Sequence, residues 1–134
     1  SHIEKVLDDE ILLWLEKHLW LVPLYPRHQD YDVLSNTNIT LENAKRLSDA
    51  ADNAWKSLKE KDIKKLGEAI RESFEAQIVM YPHMVSDDIL EVLNKYKSSA
   101  LGWKLSGAGG GGYLIFVSET PIENAIQIRI RKAE

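Results

Sequence analysis

Apolar residues recur every three to four positions over three long stretches of this chain, and every second position or in short unbroken runs over much of the rest. The first spacing turns one stripe of a helix toward a core; the second builds strands. Leu41, Ala44, Leu47, Ala51, Ala54, Trp55 and Leu58 form the first helical stripe. Thr40 stands just ahead of it with the hydroxyl that a helix N-cap uses to take up a free backbone N–H. Asp62 caps a second helix after the charged turn Lys59-Glu60-Lys61, with Ile63, Leu66, Ile70, Phe74, Gln77 and Ile78 on one side and Tyr81-Pro82 as its stop. Ser86, Asp87 and Asp88 open a third helix. Its buried side is Ile89, Leu90, Leu93 and Tyr96, and Lys95 and Lys97 complement the dipole at its C-terminal end. A shorter helical pattern runs from Asp8-Asp9-Glu10 to Lys17.

Strands occupy the remainder. Leu19 to Tyr25 is an apolar run bounded by Pro26, and Pro23 within it lacks a ladder donor, which predicts an edge strand or an irregular end. Two strands are expected to flank the glycines between Gly102 and Gly112, the second being Tyr113-Leu114-Ile115-Phe116-Val117. Ile126, Ile128 and Ile130 alternate with Gln127, Arg129 and Arg131, the period of a half-buried strand. Arg27 through Thr37 is polar and aperiodic, a loop of functional length. A strand, then helices, then strands predicts an α+β fold: an antiparallel sheet of about four strands with a layer of helices on one face. With 134 residues the expectation is a single domain, 1–134.

Composition narrows the function classes. Apolar residues make up 44% and charged residues 28%, and no stretch approaches the roughly 20 apolar residues that span a bilayer, so no membrane is expected. The net charge is -4, and the 17 Lys and Arg are scattered without a basic arm, which argues against nucleic acid. Zero cysteines exclude disulfides and thiolate metal sites and suit a cytoplasmic protein. The first residues are acidic where a secretion signal would be basic, so none is expected.

Six of the seven glycines fall in Gly102-Trp103-Lys104-Leu105-Ser106-Gly107-Ala108-Gly109-Gly110-Gly111-Gly112. Glycine weakens helix and strand interiors, so such a run is useful where backbone takes positive φ or lies against another group. Consecutive unobstructed N–H groups can make a concave anion site, and phosphate is the natural ligand. Gly107, Gly109 and Gly112 satisfy G-x-G-x-x-G, but the dinucleotide fingerprint must open a helix and here a strand follows. A P-loop ends in Gly-Lys-Ser/Thr, whereas Gly112 is followed by Tyr113 and Lys104 lies upstream. Both readings fail on their flanks. A turn between two strands needs fewer glycines than this.

The run from Leu101 to Phe116 resembles the third signature motif of the GHMP small-molecule kinases, in the form G-x-K-L-x-G-A-G-G-G-G-F/Y-L-L-F of the heptose and fucose kinase branch. Glu16-Lys17-His18-Leu19-Trp20-Leu21-Val22 followed by Pro26-Arg27 is similar to the strand and arginine that open that family's C-terminal domain. The resemblance implies a GHMP C-terminal domain, ferredoxin-like in arrangement, without the N-terminal domain that carries the Gly-Leu-Gly-Ser-Ser-Ala type loop and the aspartate base. It implies ATP and Mg2+ as cofactors, none bound by this chain alone, and a sugar or sugar phosphate as substrate. The phosphate-proximal residues it implies are Lys104, Ser106, Gly107, Ala108, Gly109, Gly110, Gly111 and Gly112, with Arg27 toward substrate; Asp30, near Arg27 in the polar loop, is a candidate for facing a polyol substrate. It names no catalytic residue here, and the isolated chain is expected to be inactive. Partners expected are the N-terminal kinase domain and, where its surface is left uncovered, a second copy of the chain. A non-catalytic ligand-binding or regulatory module on the same fold is the alternative.

The other candidates read as structural. His18, His28 and His83 are dispersed, and no metal site is expected. Asp32, Tyr81 and the lysines at 59, 61, 64 and 65 read as hydrated surface. Trp14, Trp20 and Trp55 read as core or interface, and Trp103 as packing under the glycine loop.

Overall fold

The computed structural model of the chain describes residues 9–24, 39–106 and 112–128. Four strands, β1 (Leu19–Leu24), β2 (Gly102–Ser106), β3 (Gly112–Val117) and β4 (Ile126–Gln127), form one sheet in the order β2-β3-β1-β4. All neighbours are antiparallel. Among the described residues four α-helices accompany them: α1 (Asp9–Glu16), α2 (Leu41–Glu60), α3 (Ile63–Met80) and α4 (Asp87–Tyr96). Because β1 and β2 each oppose β3, they run parallel on either side of it, and α2, α3 and α4 lie between them in the chain. This is the split βαβ unit of the ferredoxin-like arrangement.

Local chemistry sets the helix ends. Thr40 Oγ1 accepts from the Asn43 N–H at 3.1 Å, Asp62 Oδ1 from Lys65 at 3.1 Å, and Ser86 Oγ from Ile89 at 3.3 Å. All three are the caps that the sequence predicts. Lys61 closes α2 in the left-handed region, φ 54°, and pairs with Glu10 of α1.

The core forms where one face of the sheet meets the helices. Val22, Leu114 and Leu105 stand in one row across β1, β3 and β2, and Trp20, Phe116 and Trp103 in the next. Phe74 of α3, Ile89 and Leu93 of α4, and Ile122 close over them. Each side chain of this size contributes about 1.5–3 kcal/mol when fully buried.

Four expectations are corrected. Pro23 does not mark an edge strand, because β1 lies inside the sheet. The His18 carbonyl accepts from Ser118 beside β3, and the Leu19 carbonyl from Ile128 beside β4. Alternation therefore aims the nitrogen of Pro23 toward β4, beyond the last rung Leu21↔Ile126, so no ladder donor is lost. The stripe on α2 is rotated: Leu41 is 88% exposed, Ala44 and Ala51 are exposed, and Ala50 and Ser57 are buried. Alanine methyls stand on several sides of this helix, and α3 packs where the small Ala50 and Ser57 allow close approach. Leu90 of α4 is 40% exposed, one position off the buried Ile89 and Leu93. The alternation at the chain's end yields a two-residue strand in which Ile126 is 58% exposed, because it points away from the helical layer. The loop 27–37, Ile130 and its neighbours 129 and 131 lie outside the described residues.

Candidate functional site

Strand alternation decides what the glycine-rich motif presents. In β2, Leu105 is buried in the core, and Trp103 packs against it with the Arg71 guanidinium 5.5 Å from the ring centroid. These two anchors force Lys104 and Ser106 to the opposite face. Lys104 stands across from Ile115, and Ser106 across from Tyr113 in the last rung before the glycines. Both side chains are half-buried. Among the described residues Lys104 forms no ion pair, and its row continues through Ile115, Leu21 and Ile126, which bring no carboxylate. A cation so placed at the mouth of a glycine run is suited to an anionic ligand.

Gly112, the one glycine of the run from 107 to 112 that is described, has φ 132°, a conformation that side-chain-bearing residues rarely adopt. Gly107, Ala108, Gly109, Gly110 and Gly111 lie outside the described residues, as do Arg27 and Asp30. The predicted site residues brought together are therefore Lys104, Ser106 and Gly112, at one end of the β2–β3 hairpin.

The structure also supplies residues that sequence reading missed. Gly67 of α3 lies against Gly102 at the start of β2. A Cβ at Gly102 would lie 2.1 Å from the Gly67 carbonyl oxygen, and one at Gly67 would lie 2.6 Å from Leu101 Cβ. A lone glycine inside a strongly helical pattern was the available signal. The buried Ser118, just past β3, accepts from the Thr120 N–H at 3.2 Å, and its hydroxyl lies within donating reach of the Ser99 and Thr120 carbonyls, at 3.0 and 2.7 Å. It ties the end of β3 to the turn before β2. Both contacts fix the start of β2, at Gly102, the end opposite the glycine run.

Other titratable groups play structural parts. His18 Nδ1 lies 2.7 Å from the Trp14 carbonyl, which can only accept, so Nδ1 carries the proton. Arg46 of α2 pairs with Glu72 and, at 3.4 Å, with Glu75 of α3. The hydrogen bond from Arg46 holds the Glu72 carboxyl below its ordinary value, with attraction to Arg46 and Arg71 adding to it; the same bond raises Arg46. A groove between α2 and α3, lined by Lys56, Glu60, Lys65 and Glu68 among others, mixes both signs of charge and lies away from β2. Among the described residues no three His, Cys, Asp or Glu side chains gather as a metal site. No helix among them is long and apolar enough to cross a membrane.

Residues 54–132 match the family model described as GHMP kinases C terminal. The chain belongs to this family of kinase C-terminal domains. Its fold is similar to that of a putative sugar kinase from Campylobacter jejuni, with a TM-score of 0.55 at 18% identity over 84% of this chain and 32% of that one. A mevalonate kinase structure is similar at a TM-score of 0.47 and 17% identity, over 84% of this chain and 36% of that one. The chain thus spans about a third of the length of these solved structures. No curated protein matches the sequence.

Proposed function

We propose that this chain is the C-terminal domain of an ATP-dependent kinase that phosphorylates a hydroxyl of a sugar or sugar phosphate. In this reading residues 107–112 close the phosphate site of an N-terminal domain on the same polypeptide. The observation that carries it is the placement of Lys104 and Ser106 beside the glycine run, on the face away from the core, within a chain of this family. Phosphoryl transfer relies on positioning and on charge stabilisation. Lys104 supplies a positive charge for transferring or substrate phosphate, and the four consecutive glycines from Gly109 to Gly112 admit close approach. Magnesium, when bound with the nucleotide, would neutralise charge on the transferring phosphate, and the reading assigns it no ligand in this chain. Arg27 and Asp30 are assigned toward the acceptor. The absence of cysteine accords with a cytoplasmic enzyme.

The test is phosphate transfer from ATP by the complete polypeptide to a panel of free sugars and sugar phosphates. Lys104→Met and Gly110→Val are each expected to lower kcat/KM by about 100-fold, the scale of losing one preorganised charge-stabilising group, with the thermal midpoint unchanged. Full activity in both variants would remove the loop from the phosphate site.

A further inference from the structure

The apolar stripe that the sequence builds along α2 is the part of this helix that the domain leaves uncovered. Packing against α3 buries Ala50 and Ser57, whereas Leu41, Ala44, Ser48 and Ala51 are exposed and Trp55 and Leu58 are only half-buried. These last six follow one another at alternating steps of three and four, the a and d positions of a heptad, over nearly the whole of the helix. A repeat of this period is a seam for a second helix. Among the other helices α1 reaches only the C-terminal end of α2, where Glu10 pairs with Lys61. The N-terminal half of the seam, with Leu41 88% exposed, is open apolar surface of the kind that marks an interaction site.

We infer that α2 pairs antiparallel with α2 of a second copy of this chain, about a two-fold axis between Ser48 and Ala51. The inference does not depend on the kinase reading. Size and charge along the helix select the occupant. In an antiparallel pair each a residue faces a d residue of the other helix, so Leu41 meets the partner's Leu58, Ala44 the partner's Trp55 and Ser48 the partner's Ala51. The one large ring thus falls against a methyl group. Lys45, at a flanking e position, then meets the partner's Asp52, also at e, and the two-fold repeats the pair. Both groups are accessible for it: Asp52 is exposed and forms no ion pair among the described residues, and Lys45, 2.9 Å from Asp49, keeps a side chain that is 75% exposed. Other pairings lose this match. A parallel pair sets Trp55 against Trp55 and Asp52 against the partner's Leu47, and the antiparallel register one heptad nearer the N-terminus sets Lys45 against Lys45. A pattern that complements itself under a two-fold is what an isologous contact between identical chains requires.

Sedimentation equilibrium of the complete polypeptide tests this, with charge reversals at positions 45 and 52. The parent is expected to be a dimer at about 100 µM, above the micromolar Kd that suits an interface at the small end of the size range. Lys45→Asp and Asp52→Lys should each weaken the dimer about tenfold, because two like-charge contacts replace two ion pairs. Both reversals in one chain should bring the Kd back to within about threefold of the parent, a recovery that misfolding cannot produce. Ala51→Arg, at an exposed position, should abolish the dimer and leave the thermal midpoint of the diluted monomer equal to that of the diluted parent. A parent that stays monomeric overturns the inference, as does a dimer that Ala51→Arg leaves intact. Single reversals without effect, or a double reversal without recovery, overturn it too. A lowered midpoint in the diluted Ala51→Arg monomer assigns the face to another part of the same polypeptide and overturns it equally.

Discussion

Gly67 and Gly102 meet where α3 crosses the start of β2, and neither position has room for a methyl group. The contact at Gly102 is with backbone, the Gly67 carbonyl at 2.1 Å, so no side-chain rotation relieves it. Gly102→Ala must therefore separate α3 from β2 or distort one of them. The expected loss is about 3 kcal/mol, the upper part of the overpacking range, and it reads out as a lowered urea midpoint. A midpoint within error of the parent would show that the crossing has slack. Gly102 was visible in the sequence as part of a glycine-rich motif, and the structure gives it a packing role against α3. The sequence pattern groups all these glycines together, and only the position of α3 distinguishes the one at 102.

At the scale of elements, the caps were legible because their chemistry spans three residues. Thr40, Asp62 and Ser86 each reach an N–H three positions on, and no distant residue can alter that geometry. Asp62→Ala should cost about 1 kcal/mol in a thermal or chemical melt, and Asp62→Asn should recover most of it. The buried stripe of α2 was less legible, since alanine does not declare a side and the choice of Ala50 and Ser57 belongs to the packing of α3. The Arg46–Glu72 pair across these helices titrates in a defined direction. Its folded carboxyl lies below the unfolded value of about 4.3, so its contribution is complete above that pH and is lost as pH falls through the folded value. Glu72→Gln should be less stable than the parent at neutral pH by under about 1 kcal/mol, the pair being half-exposed, and equal to it in strong acid. A gap that persists in acid would trace to packing and not to charge.

For the whole molecule, the grouping of strand, helices and strands was enough to predict an α+β sheet with helices on one face, and the motif from Leu101 to Phe116 was enough to place the chain among the GHMP kinases, whose family model matches residues 54–132. Those features depend on periodicity and on short contiguous residue patterns, which are local. Strand order is not local. Pro23 argued for an edge, yet β1 sits between β3 and β4, because pairing depends on which partners reach it and on how far β4 extends. The same applies to the candidate site. The sequence identified Lys104 and Ser106 by their place in a motif, whereas the fold decided that both face away from the core, because Trp103 and Leu105 are drawn into it. The row through Ile115, Leu21 and Ile126 exists only once three strands from distant parts of the chain lie side by side. What the sequence determined by itself was the helices with their N-caps, fixed by contacts within a few residues. The tertiary structure alone decided which faces are covered, since burial depends on what lies across the sheet.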